Sequence, residues 1–83
     1  MLIGLDFVSE RLPRITAADL LRALRRDGWF PVRQVGAHMQ LKHPSQPGRV
    51  TVPTHRGIIL KPKTLSTALE QAGLTAQDLR RLL

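Results

Sequence analysis

The chain has 83 residues, which suffice for one domain and are too few for two. Its 13 lysines and arginines outnumber its 6 carboxylates, and the resulting net charge of +7 favours a polyanionic partner such as nucleic acid. The absence of cysteine excludes disulfides and thiolate zinc sites and suits the reducing cytoplasm, and the lack of a long apolar run argues against a membrane partner.

The first predicted elements are a leader segment and a helix. Residues 1–14 are predicted as a leader that is either flexible or docked on the domain or on a partner chain, and residues 15–83 as the domain itself. Thr16 is a favourable N-cap, and Asp19 falls at the third helical position, where its carboxylate suits the free amides of the first turn. We therefore expect a helix over residues 16–27, ended by the glycine that follows.

Three strands are expected next, over residues 29–35, 37–43 and 49–52. The links between them are short and rich in turn-forming residues, which implies that neighbouring strands are antiparallel. Simple alternation along the first strand places Phe30 and Arg33 on opposite faces of the sheet.

The second strand has the clearest alternation of the three. Met39 and Leu41 point to one face, and Val50 and Val52 of the third strand are expected to point the same way. The opposite, polar face carries His38, Gln40 and Lys42. We expect this polar face to be open to solvent.

A loop over residues 53–61, with apolar residues that we expect across the helices, leads to a helix that begins at Pro62. Apolar residues then recur at helical spacing, Gly73 closes the helix, and a short last helix begins at Thr75. The chain is therefore predicted as an α+β domain of order α-β-β-β-α, with helices on one face of a three-stranded antiparallel sheet.

Residues 28–69 form a basic stretch with six lysines and arginines, all three histidines and no acidic residue. Paired carboxylates, a glycine-rich phosphate loop, a serine nucleophile elbow and a metal-spaced set of histidines are missing from it. The chemistry left is histidine acting as a general acid or base beside phosphate-binding cations, with no metal or other cofactor. That combination suits RNA cleavage in which the 2′-hydroxyl is the nucleophile.

Four motifs in a fixed order carry a family resemblance. They are R-Q-V-G-A-H at residues 33–38, V-P-T-H at 52–55, K-P-K-T-L at 61–65 and Q-A-G-L at 71–74. With them, residues 14–83 resemble the HicA (YcfA-like) mRNA interferase toxins of HicAB toxin–antitoxin systems. The resemblance implies a fold like that of double-stranded-RNA-binding domains, a ribonuclease that cuts mRNA and slows translation, and inhibition by a HicB antitoxin.

The resemblance also assigns a catalytic residue. The catalytic histidine of these toxins corresponds to His38 of this chain. The family usually has serine where this chain has Ala37, and if that hydroxyl places the phosphate or the imidazole, its loss reduces activity. The residues predicted to bind RNA are Arg33, Gln40, Lys42, His55, Lys61 and Lys63.

Plainer interpretations of these residues stay open. His55 is either part of the site or a loop residue that hydrogen-bonds the backbone, and the cations are either phosphate contacts or a solvated face. His43, before Pro44, is predicted as a turn residue, and Trp29 as a packing residue. The alternative function is a non-catalytic RNA-binding module of the same fold.

Overall fold

The computed structural model describes residues 11–83. In chain order its elements are helix α1 (Ala17–Arg26), strands β1 (Phe30–Val35), β2 (His38–Lys42) and β3 (Val50–Pro53), and helices α2 (Pro62–Ala72) and α3 (Ala76–Leu82). This order confirms the predicted α-β-β-β-α arrangement, with element ends shifted by a residue or two. Of the predicted leader, residues 1–10 lie outside the described residues, and Leu12 packs half-buried against the core.

Helices α1 and α3 both begin with a capping box. The Asp19 amide donates to the Thr16 hydroxyl at 3.2 Å, and the Thr16 amide donates to the Asp19 carboxylate at 3.1 Å. Thr75 and Asp78 repeat this exchange at 3.0 and 2.9 Å. The amide hydrogen bonds, followed by the hydroxyl bonds, lower the pKa of both carboxyls below the usual 3.8. The predicted helix starts are thus confirmed at both threonines.

The end of α1 is joined to the turn after β2 through His43. The Ser45 amide donates to His43 Nδ1 at 3.1 Å, so that nitrogen carries no proton and Nε2 donates to the Asp27 carbonyl at 2.7 Å. The imidazole also meets the buried Trp29 edge-on, with ring centroids 5.1 Å apart. Gly28 leaves room for this contact, because a Cβ there would lie 2.5 Å from His43 Nε2. His43 is therefore a structural residue of the turn.

The sheet is antiparallel in the order β1-β2-β3, with β2 in the centre. Its inner face presents Leu41, Val50 and Val52, all fully buried, to the helices. The helical side of this core consists mainly of Leu20, Leu24, Leu65, Ala68, Leu69 and Leu79. The outer face carries the polar residues of β2, as alternation predicts.

Strand β1 departs from simple alternation. Pro31 pairs with Leu41 and Arg33 pairs with Gln40, so a β-bulge lies between Pro31 and Arg33. One extra residue reverses the phase of the strand beyond it. Arg33 consequently shares the open face with Phe30, and the predicted placement of these two residues on opposite faces is wrong.

The loop between β3 and α2 runs back along the start of α1. The Leu60 amide donates to the Ile15 carbonyl at 2.8 Å, and Ile59 forms a β-bridge with Thr16. Leu60 packs against the core, whereas the side chains of Ile58 and Ile59 stay exposed. The apolar segment thus pairs with the two residues that precede α1, and of its three apolar side chains only Leu60 packs against the core.

Candidate active site

A groove of about 640 Å³ lies between β3, the following loop and one side of α2. Four of the seven predicted site residues line it, namely His38, His55, Lys61 and Lys63. They come from one strand, the long loop and the first turn of a helix, so the fold assembles them from separate parts of the chain.

The two groove histidines extend from chain segments that are hydrogen-bonded to each other. His38 is the first residue of β2 and pairs with Pro53, the last residue of β3. Immediately after this pair, the amide and the hydroxyl of Thr54 both donate to the Ala37 carbonyl, at 2.7 and 3.0 Å. These two bonds hold Ala37, the residue before His38, next to Thr54, the residue before His55.

Both groove histidines are exposed. Within residues 11–83, neither imidazole is hydrogen-bonded to another side chain or to the backbone, in contrast to His43. Their nitrogens therefore remain accessible to a molecule that enters the groove. An accessible imidazole within reach of a bound substrate is what a proton-transfer role requires.

The first turn of α2 adds an anion-binding feature to the groove. Its N-cap is Lys61, whose side chain makes no capping hydrogen bond, and Pro62 occupies the first helical position. The amides of Lys63 and Thr64 are thus in the turn where helical N–H groups have no intrahelical partner. Both residues line the groove. The positive end of the helix dipole therefore acts there together with the two lysine side chains.

Within residues 11–83, no nearby carboxylate neutralises the positive charge of the groove. Among the described residues no aspartate or glutamate lines it. The ion pairs formed within residues 11–83 lie in other helices: Arg22–Asp19 at 2.5 Å in α1, and Arg81–Asp78 in α3. Uncompensated cations of this kind attract an anionic ligand. In the same part of the chain, no cluster of three or more His, Asp or Glu side chains is placed to hold a metal ion.

The other three predicted RNA-binding residues lie outside the groove. Arg33, Gln40 and Lys42 are on the open sheet face. The Gln40 side-chain oxygen accepts a hydrogen bond from Arg49 at 2.7 Å. Lys42 ends β2, about 14 Å along the strand from His38. These residues form a basic surface next to the groove, and His38 belongs to both.

The structure also adds groove residues that sequence reasoning did not select. The polar ones are Thr51, Thr64, Thr67 and Gln71, and the apolar ones are Pro53, Ile58, Ile59 and Leu60. Gln71 accepts a hydrogen bond from the Thr51 amide at 2.9 Å, which attaches α2 to the edge of the sheet. A signal was present, because positions 64, 67 and 71 follow helical spacing on the polar side of α2.

Comparisons with known proteins bear on this part of the chain. A family model described as the HicA toxin of bacterial toxin–antitoxin systems matches residues 17–74, which is more than half of the chain. The match runs from the start of α1 to just beyond α2 and includes all the groove residues. A search of curated proteins finds no match to this chain.

Proposed function

Because the chain belongs to the HicA toxin family of bacterial toxin–antitoxin systems, we propose that it is an endoribonuclease that cuts mRNA and thereby inhibits translation. The observation that carries this proposal is the groove in which His38 lies with Lys61 and Lys63. Histidine is the side chain that gains and loses a proton near neutral pH, and the lysines supply the charge that a phosphodiester needs.

The proposed reaction uses the nucleophile of the substrate itself. The 2′-oxygen of RNA attacks the adjacent phosphorus, the bond from phosphorus to the 5′-oxygen breaks, and the strand ends in a 2′,3′-cyclic phosphate and a free 5′-hydroxyl. His38 transfers a proton in this step, as a general acid or base. Lys61, Lys63 and the first-turn amides of α2 hold the phosphate and stabilise its growing negative charge. No metal is required for this chemistry.

The apolar part of the groove favours single-stranded RNA as the substrate. Ile58 is 59% exposed although it is large and apolar, and it lines the groove together with Pro53. An apolar surface beside a phosphate site can pack against the face of a base only when that base is not stacked within a helix. The proposed substrate is therefore an unpaired segment of mRNA, which places the activity in the cytoplasm.

The family implies a cognate antitoxin, and we propose that it is of the HicB type. To inhibit cleavage it must cover His38, and to bind tightly it must present acidic groups to the lysines of the groove. Both features of the toxin lie on one side of the molecule, where the groove meets the open sheet face. A single protein surface can therefore cover them together.

The test uses purified protein and a long single-stranded RNA in buffer with EDTA. We expect the parent protein to cut the RNA and to leave 2′,3′-cyclic phosphate ends, and His38→Ala to bind the same RNA without cutting it. Binding without cleavage by the parent would instead establish the non-catalytic RNA-binding module. Cleavage that disappears in EDTA and returns with a divalent metal would contradict the proposed chemistry.

A further inference from the structure

Metal-free cleavage of RNA moves two protons, and one histidine accounts for only one of them at a time. One proton leaves the 2′-oxygen as it attacks phosphorus, and another must reach the 5′-oxygen as it departs. The titratable side chains that line the groove are His38, His55, Lys61 and Lys63. Two of these four are imidazoles, the side chain suited to proton transfer near neutral pH.

The backbone brings the two imidazoles to the same groove. Neighbouring Cα atoms across an antiparallel pair are about 4.5–5.5 Å apart, and His38 pairs in this way with Pro53. The two hydrogen bonds from Thr54 to the Ala37 carbonyl continue this contact by one residue. The His55 side chain then starts from the next residue and enters the same groove.

We propose that His55 is a second catalytic residue that performs the proton transfer complementary to that of His38. This inference rests on the proposed ribonuclease function. One imidazole accepts the 2′-hydroxyl proton while the O2′–P bond forms. The other, starting as imidazolium, gives its proton to the 5′-oxygen while the P–O5′ bond breaks. The two residues finish with exchanged protonation states, and proton exchange with water restores them.

The neighbouring Arg56 provides a matched control. It occupies the same loop and carries a positive charge, but it lines a separate hollow of about 400 Å³ against α1 rather than the groove. His55 borders both spaces. If activity is lost because the loop is disturbed or a positive charge is removed, Arg56→Ala therefore loses activity as well. If the loss is specific to the groove, Arg56→Ala keeps its activity.

The first measurement is the cleavage rate of three variants and the parent, with unfolding temperature and RNA affinity measured alongside. We expect His55→Ala and His55→Gln to lower the rate by about 10²–10⁴-fold while RNA affinity changes little, and Arg56→Ala to stay near the parent. Glutamine keeps hydrogen bonding but transfers no proton. A folded His55→Gln variant that cuts at the parent rate would therefore overturn the proposal.

The second measurement separates acid from base with an RNA whose 5′-bridging oxygen is replaced by sulfur at one position. A thiolate leaves without being protonated, so the variant that lacks the general acid recovers on this substrate and the variant that lacks the base does not. We expect one of the two variants, His38→Ala or His55→Ala, to recover its cleavage rate on this substrate. If neither recovers, the complementary pair is wrong.

The pH dependence gives a third readout. The parent should show a bell-shaped profile, since one group must be protonated and the other not, and each histidine variant should lose one limb. If His38→Ala abolishes cleavage and His55→Ala leaves the bell intact, only the second-residue proposal fails. If the parent itself leaves RNA intact, the ribonuclease proposal fails as well.

Discussion

At the scale of single residues, the proposed role of His38 in activity is separable from any effect on stability. Its side chain is exposed on the open face, so His38→Ala creates no cavity in the core. We expect an unfolding temperature close to that of the parent, retained RNA binding and a loss of about 10²–10⁴-fold in cleavage rate. Thermal unfolding, RNA binding and RNA cleavage on one protein preparation check this. A folded variant that cuts at the parent rate would remove His38 from the mechanism.

Two lysines that are predicted to bind RNA can be compared, because one of them lines the groove and the other does not. Lys63 lines the groove, whereas Lys42 is on the open sheet face. We expect Lys63→Glu to weaken RNA binding across all sequences and to reduce the salt dependence of log K by about 1, and Lys42→Glu to have the smaller effect. Titrations at several salt concentrations measure both. A change in sequence preference without a change in salt dependence would indicate base contact instead.

Two glycines allow a similar comparison for stability. Gly28 has φ of +103°, and an added Cβ would meet His43, whereas Gly36 has φ of +58° with nothing within 4 Å. Gly36→Ala is expected to cost only the backbone penalty of a positive φ, about 1–2 kcal/mol. Gly28→Ala should cost more, because it also displaces the His43 imidazole from Trp29. Urea unfolding measures the free energy of unfolding of both variants. If the two variants lose equal amounts of it, the His43 contact contributes little to stability.

At the scale of secondary-structure elements, the capping boxes predict how stability depends on pH. The folded-state pKa values of Asp19 and Asp78 lie below the usual 3.8, so the folded protein binds protons less readily there than the unfolded chain. Their contribution is complete above pH 3.8 and is lost as the pH falls through the folded-state values. We expect the double variant Asp19→Asn and Asp78→Asn to lose stability near neutral pH and to show a shallower decline in acid. Unfolding curves between pH 2 and 7 measure this, and an unchanged acid slope would contradict it.

The helices were predictable because capping residues that are close in sequence determine where they begin and end. Thr16 and Thr75 cap their helices as expected, and Gly73 closes α2 in a left-handed conformation. The bulge in β1 was not predictable, because it is a shift in the pairing of β1 with β2 that the residue types of β1 alone do not reveal. Strand alternation therefore separated Phe30 and Arg33, which share one face of the sheet.

The candidate site was predictable only in part, for a different reason. His38, His55, Lys61 and Lys63 were selected by residue type and motif, but nothing in their spacing indicates that they share a groove. They share a groove because α2 packs beside β3. This tertiary contact includes the hydrogen bond from the Thr51 amide to the Gln71 side chain. Residue types thus led to the proposed chemistry, whereas the separation of Lys42 from Lys63 became visible only in the fold.

At the scale of the whole molecule, net charge and the exposed groove predict how an antitoxin associates. A protein of charge +7 with an uncompensated basic groove should attract an acidic partner from a distance. We expect a high association rate with the cognate antitoxin that falls steeply as salt is added, while the dissociation rate changes less. Stopped-flow mixing at increasing ionic strength measures both. A tight complex in which RNA still reaches His38 would contradict inhibition by coverage.

Each edge strand of the small sheet has a feature that hinders the addition of another strand. On the β3 side, Gln71 occupies the Thr51 amide, and on the β1 side, Pro31 has no N–H and the adjacent bulge disturbs the hydrogen-bonding pattern. Open strand edges are the places at which folded proteins aggregate into extended sheets. These features work against edge-to-edge aggregation when such a toxin is free of its antitoxin, and a molecule that escapes aggregation can still diffuse.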